Sequence, residues 1–323
     1  MNFWQQLPKP ILVLAPLADV TDAAFRRVIA KYGKPDVMWT EFVSADGLIR
    51  ATEEGKKKLM TDLIYTKEER PIVAQLFGGH EEYMEKAVKL CADLGFDGID
   101  INMGCPDKSV EKQGGGAAMI KNPENARTVI RAAKRGAPQL PISLKTRLGY
   151  NKDELETWLP ELLKEEPAVV TLHARTRKEM SKVPARWERV ARAVEIRNEL
   201  KSETLIFGNG DVESVSHAKA LAATHHADGV MLGRAIFGNP WLFAQSANSP
   251  ERSREITVKE RLEVMLEHTK FFEELLSHKS FAIMKKHYKA YVNGFPRASE
   301  LRHKLMESNN AEEVEKLVNN FLN

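Results

Sequence analysis

Two cysteines, Cys91 and Cys105, stand in contrasting settings. Cys91 has Val88 and Leu94 at helical spacing, the pattern of a small thiol packed into a core. Cys105 follows Asn102, Met103 and Gly104, precedes Pro106, and is trailed by Gly114, Gly115 and Gly116. That is a loop, not a core. An ordinary thiol has a pKa of about 8.5, so it is largely protonated at neutral pH and can serve as an acid. Other polar residues cluster at the ends of short apolar runs: Gln75, Asn102, Lys145 with Arg147, His173 with Arg175, Asn209-Gly210-Asp211 and Gly233-Arg234. Glycine-rich turns such as Gly208–Asp211 and Gly233-Arg234 expose backbone N–H groups that suit a phosphate. Arg147 and Arg175 suit an anion equally, or an ion pair on the surface. No cluster of His, Cys, Asp and Glu has metal-ligand spacing, and the neighbouring His225 and His226 precede a strand pattern, away from the polar clusters.

These residues need a scaffold that brings strand ends together. β-rich runs at 11–14, 36–40, 72–75, 98–101, 142–145, 169–172, 205–207 and 229–232 number eight. Helical patterns at 81–94, 123–135, 153–163, 186–200 and 214–223 separate most of them, with Asp22 and Asn122 placed as helix caps. Strands alternating with helices imply parallel pairing, and eight such units predict an α/β fold, a (β/α)8 TIM barrel. Its active site would lie at the C-terminal ends of the strands, where the polar clusters fall, with phosphate after strands seven and eight. The stretch 44–70 is long and polar, and its shape is not legible. After Trp241 the pattern changes: residues 252–323 show helical spacing and no strand, predicting a small C-terminal helical domain after a barrel domain of residues 1–245, with a linker over 244–254.

The 323 residues suffice for a large barrel and a small appendage, and the net charge of +3 neither requires nor excludes nucleic acid. No long apolar run spans a membrane, residues 1–10 carry no secretory pattern, and two cysteines make no disulfide framework, so a cytoplasmic location is expected. Charge is unevenly spread. Residues 278–304 carry Lys279, Lys285, Lys286, Lys289, Arg297, Arg302 and Lys304 against Glu300 alone, interleaved with Phe281, Tyr288, Tyr291 and Phe295. Such a run is either a solvated helix face or an RNA contact with phosphate-binding cations and base-stacking rings.

From Ala15 to Phe243 the chain resembles the tRNA-dihydrouridine synthases. Ala15-Pro16-Leu17-Ala18-Asp19-Val20-Thr21-Asp22 resembles the opening motif, and Asp100-Ile101-Asn102-Met103-Gly104-Cys105-Pro106 the catalytic loop. Lys145-Thr146-Arg147 resembles the flavin-lysine strand, His173-Ala174-Arg175-Thr176-Arg177 the sixth-strand motif, and Gly208-Asn209-Gly210-Asp211 the phosphate loop, in matching order. The resemblance implies an FMN-containing barrel, a C-terminal tRNA-binding domain, NADPH (or NADH) as reductant, and tRNA as partner; no protein partner is expected. It implies FMN contacts at Pro16, Leu17, Ala18, Gln75, Lys145, His173, Asn209, Gly210, Asp211, Gly233 and Arg234, and assigns the proton donor to Cys105. In that setting Lys145 would stabilise an anionic reduced flavin, and Asn102, Arg147 and Arg175 would face the substrate. The chain departs from the family pattern at Ala174, where Gly is usual, and over Met180-Ser181-Lys182-Val183-Pro184, where Tyr and Gly are usual. Both departures bear on substrate fit. Two rival readings stay open: an FMN barrel acting on a free pyrimidine or small enone, which leaves the basic helical region without a purpose, and a catalytically idle RNA-binding protein, which leaves Cys105 and Lys145 without one.

Overall fold

The computed structural model describes residues 2–244 and 255–323. Eight strands form one parallel sheet: β1 (Ile11–Leu14), β2 (Met38–Ser44), β3 (Ile72–Phe77), β4 (Gly98–Met103), β5 (Ile142–Arg147), β6 (Val169–His173), β7 (Leu205–Asn209) and β8 (Gly229–Leu232). Neighbouring strands follow chain order from β2 to β8, and β8 returns to β1. The remaining gap, between β1 and β2, is bridged where Val13 pairs with Val37 and the Asp36 carboxylate accepts the Leu12 N–H at 2.7 Å. The result is a (β/α)8 barrel. Its strands are buried along almost their whole length, as expected for a parallel sheet covered on both faces. Trp4, Trp39, Val73, Val169, Phe207 and Met231 belong to one buried apolar cluster, with Trp4 contributed by a short 3-10 turn at the chain start.

The outer layer holds the helices the sequence predicts, together with α2, α3 and α5, which it does not. Helix α1 (Ala23–Tyr32) is capped by Asp22, which accepts the Phe25 N–H. Then come α2 (Ala45–Arg50), α3 (Glu53–Thr61), α4 (Glu81–Asp93), α5 (Lys108–Lys112) and α6 (Pro123–Gly136), the last capped by Asn122 with Pro at its first turn. Helices α7 (Leu155–Leu163), α8 (Trp187–Glu199) and α9 (Val215–His225) complete the ring. Cys91 is fully buried on α4, and burial pushes its thiol up to about 12. His225 and His226 end α9 and lead into β8, at the face opposite the strand C-termini.

Two differences from the sequence reading have clear causes. Strand β2 begins later and runs on to Ser44, its register against β3 shifting between Trp39 and Phe42. That irregularity hides a strand longer than the apolar run. The stretch left unread at 44–70 holds α2 and α3, capped by Ser44 and Thr52, whose hydroxyls accept the Gly47 and Gly55 N–H groups.

Beyond the expected linker, most of which (245–254) lies outside the described residues, the chain is helical: α10 (Val258–Leu275), α11 (Met284–Tyr291), α12 (Ala298–Leu305) and α13 (Ala311–Leu322). These helices share one apolar cluster with the outer layer of the barrel. Tyr32 and Lys31 both donate to Glu267 on α10, and the Phe25 ring stacks on His268 at 4.8 Å. No helix among the described residues is long and apolar enough to cross a membrane.

The basic run at 278–304 requires a correction. Tyr288 and Tyr291 are fully buried, because Met284, Tyr288 and Tyr291 fall on the inward stripe of α11. Neither ring is available to stack on a base. Lys279 turns inward too, pairing with Glu41 at 3.1 Å and Asp62 at 2.8 Å, while Arg297 and Lys304 both pair with Glu300. Lys285, Lys286 and Lys289 make no ion pair among the described residues.

Candidate active site

The strand C-termini open into a cleft of about 760 Å³. Its wall takes Pro16, Leu17 and Ala18 from β1's loop, Asn102 and Cys105 from β4, and Lys145 and Arg147 from β5. His173 and Arg175 come from β6, Asn209, Gly210 and Asp211 from β7, and Gly233 and Arg234 from β8. Residues scattered over more than two hundred positions converge because parallel strands all end on the same rim. Of the site residues expected from the sequence, only Gln75 is not on the wall. It lies fully buried on β3, donating from Nε2 to Asp100 at 2.7 Å and accepting from Asn102 Nδ2 at 3.0 Å. Phe42 and Glu213 line the cleft without having been singled out, and Ser181 lies there within the departure at 180–184. Phe42 could have been found by following β2 past Thr40; Ser181 and Glu213 lie in loops with no periodic signal.

Cys105 is half-buried at the wall. The Asn102 side-chain oxygen accepts both the Gly104 N–H (3.1 Å) and the Cys105 N–H (2.9 Å), and the Cys105 backbone carbonyl accepts the Ala117 N–H (2.9 Å). Gly116, at φ +58°, makes this closure possible: a Cβ there would lie 2.6 Å from the Cys105 carbonyl oxygen. Asn102 is itself oriented through Gln75 by Asp100, whose buried carboxyl is pushed up to about 6 by burial. Burial raises the Cys105 thiol above its ordinary value, although the Asp107 backbone N–H, and then Lys145 and Arg147, pull the other way against a smaller push from the Asp107 carboxylate. The thiol is therefore held in its proton-bearing form.

Across the cleft the charge is positive. Lys145 is a cation short of partners: among the described residues its ammonium has only the Asn209 side-chain oxygen, at 3.5 Å. Burial and the repulsion of Arg147 lower its pKa to about 8. Asn209 is fixed from its other end, donating to the Met231 carbonyl at 2.8 Å. Arg175 donates to Asp211, to the Val183 carbonyl at 2.5 Å and to His173 Nε2 at 3.2 Å. Since a guanidinium only donates, Nε2 accepts and the His173 proton sits on Nδ1. Burial, then Arg147 and Lys145, hold that imidazole neutral, well below its ordinary pKa. Arg147, mostly buried, donates to the carbonyls of Gly104 (2.8 Å), Thr176 (3.2 Å) and Met180 (3.1 Å). Neither arginine is a loose surface cation. Gly208, expected in a phosphate-binding turn, instead lies within β7 against Trp187, whose ring leaves no room for a Cβ. Gly210, at φ +126°, Gly233 and Arg234 remain at the cleft, with Arg234 tied to Asp211 at 2.8 Å.

Among the described residues no group of three or more His, Cys, Asp or Glu is placed to hold a metal ion. The donor set fits an organic anion of nucleotide size. A half-buried ammonium with no carboxylate ion pair among the described residues calls for negative charge beside it, and glycine-bearing backbone lies at the β7 and β8 rim.

Two kinds of comparison bear on this arrangement. The solved histamine dehydrogenase from Rhizobium sp. 4-9 aligns over 80% of this chain and 48% of its own, with a TM-score of 0.54 and 13% identity. A 2-naphthoyl-CoA reductase in complex with 2-naphthoyl-CoA aligns over 75% and 52%, with a TM-score of 0.56 and 11% identity. The chain thus spans about half the length of each, and at these identities the likeness shows a shared fold alone. Relatives in sequence are closer. A probable tRNA-dihydrouridine synthase 2 of Bacillus subtilis (strain 168) is 39% identical over 323 residues, 99% of this chain and 96% of the relative. A probable tRNA-dihydrouridine synthase of Staphylococcus aureus (strain MRSA252) is 39% identical over 324 residues, covering 99% and 95%. The family model for dihydrouridine synthase matches residues 13–323, and the chain belongs to that family.

Proposed function

We propose that this enzyme reduces uridine in tRNA to 5,6-dihydrouridine, with flavin mononucleotide in the cleft, NADPH as reductant and Cys105 as proton donor. The observation that carries this reading is the meeting, in one cleft, of a half-buried thiol held in its protonated form and, on the next strand, a half-buried ammonium with no carboxylate ion pair among the described residues. The names of the relatives supply the substrate class.

Reduction of uracil adds a hydride to C6 and a proton to C5. Flavin, when bound and reduced, supplies the hydride. Lys145 offers positive charge to an anionic flavin, and Gly210, Gly233 and Arg234 offer N–H groups and a cation to its phosphate. Pro16, Leu17 and Ala18 give the cleft an apolar wall, and His173, being neutral, offers hydrogen bonds without adding charge. Cys105 Sγ gives its proton to C5 and regains one from solvent. Asn102, fixed in orientation by Gln75, has one amide N–H left to meet a base carbonyl. Taking a base out of a folded RNA costs a few kcal/mol, which contacts outside the cleft must offset. The helices from Val258 onward would provide them, with Lys285, Lys286 and Lys289 on α11 as the uncommitted cations.

The test is substrate choice. FMN-loaded protein should oxidise NADPH faster with unmodified tRNA transcript than with uridine, uridine monophosphate or orotate at matched uracil concentration. Faster turnover with a free pyrimidine would replace this reading by that of a small-molecule reductase.

A further inference from the structure

The segment carrying Cys105 leaves β4, forms the five-residue helix α5 and returns through Gly114–Gly116. So short a helix does not hold its place alone. At its C-terminal end Gln113 is held by Ser44 and by the Gly79 N–H, and its charged attachment comes from an arginine of another strand's loop. Arg177, four residues beyond β6, grips Glu111 on α5 with two parallel bonds, Nε to Oε1 and Nη2 to Oε2, both 2.8 Å. The same Nη2 donates to the Pro106 carbonyl, beside Cys105, at 3.3 Å. Tyr150, from the loop after β5, closes the arrangement: its hydroxyl donates to Glu111 at 3.3 Å, and the Arg177 guanidinium lies 5.1 Å from its ring centre. The two charged side chains are 25% and 13% exposed, so solvent screens the pair less than it would at the surface.

We propose that the Glu111–Arg177 pair is the latch that positions the acid loop, tying Cys105 to the rim of β6 and holding its thiol in the half-buried, proton-bearing setting. Both are positioning residues; neither lines the cleft. The proposal rests on Cys105 being the proton donor, but the loop can be read independently of that role. A fork-to-carboxylate contact sets direction as well as distance, which a single lysine bond would not do. With Arg177 committed to Glu111 and Pro106, it is not a free cation for an RNA phosphate.

The test compares FMN-loaded wild type, Glu111→Gln, Arg177→Gln and the double variant. Alkylation of Cys105 by iodoacetamide, followed by mass spectrometry, reports the loop; buried Cys91 is the internal check on folding. Each single variant should alkylate at Cys105 about fivefold faster or more and lose about tenfold in kcat, with KM for tRNA within about twofold, and the double variant should match the singles. The alkaline limb of the rate profile should move down toward an ordinary thiol, since Asp107, Lys145 and Arg147, the charged groups facing Cys105, are unchanged. Arg177→Lys, which keeps the charge but not the fork, should fall between. If alkylation and kcat stay at wild-type values, or if KM rises with kcat intact, the latch is wrong. Retained activity in Cys105→Ala would instead remove the acid assignment and leave the alkylation result to judge the latch.

Discussion

Cys105 works as an acid only if it keeps its proton until a base is in place, and its surroundings are built for that. Burial disfavours the thiolate more than the Asp107 backbone N–H, Lys145 and Arg147 favour it. The sign follows directly: the active form is the protonated one, its pKa is raised, and activity should fall as pH rises through a value above the ordinary thiol figure of about 8.5. Single-turnover reduction of tRNA followed from pH 7 to 10.5 should show that limb, and a limb below about 8 would mean that another group supplies the proton. At this scale much was legible. Cys105, Lys145, Arg147, His173 and Asn209 stand at run ends in the sequence, and the run ends meet at the cleft. What the sequence did not carry was the partner of each charge. Arg175 and Asp211 are thirty-six residues apart, and Glu111 and Arg177 sixty-six, so only the closed barrel brings them together.

At the scale of elements, the helical region is joined to the barrel by a buried polar contact as well as by apolar packing. Lys279, in the turn between α10 and α11, meets Glu41 in the middle of β2, and Glu41 accepts the Asp19 N–H at 2.5 Å. Asp19 follows Leu17 and Ala18 on the cleft wall, so the helices reach the cleft through this carboxylate. Burial lifts Glu41 to about 7 even with Lys279 beside it. Lys279→Met should therefore destabilise the fold by about 2 kcal/mol and weaken FMN binding, and adding Glu41→Gln should recover part of both, because the loss comes from an uncompensated buried carboxylate. Denaturant unfolding and flavin titration measure the two effects; a Lys279→Met protein unchanged in both would show that the contact fixes nothing. The sequence placed Lys279 in a basic run and read it as a surface cation. A run of charges records composition, whereas the side a turn residue faces depends on how α10 lies against α1.

For the whole molecule, the fold class was legible because a parallel barrel repeats its signal eight times. Single errors, such as the late start of β2 or the unread α2 and α3, do not change the count. The helical region was legible as helices but not as a surface: helical spacing identifies α11, yet Tyr288 and Tyr291 lie on its buried stripe, so of the residues in the basic run Lys285, Lys286 and Lys289 are the ones the proposed RNA contact rests on. Its apolar cluster is continuous with the barrel's outer layer, so the region is fixed against the barrel. The account as a whole joins one chemistry to one substrate class, and a single measurement addresses both. Unmodified tRNA is incubated with FMN-loaded protein and NADPH, and dihydrouridine is counted by mass spectrometry for wild type and for Cys105→Ala. Wild type should form dihydrouridine at defined positions, while the variant binds flavin, accepts electrons from NADPH and forms little or none. Dihydrouridine formed equally by both proteins would contradict the role given to Cys105, and its absence from the wild-type reaction despite a flavin that NADPH reduces would contradict the account itself.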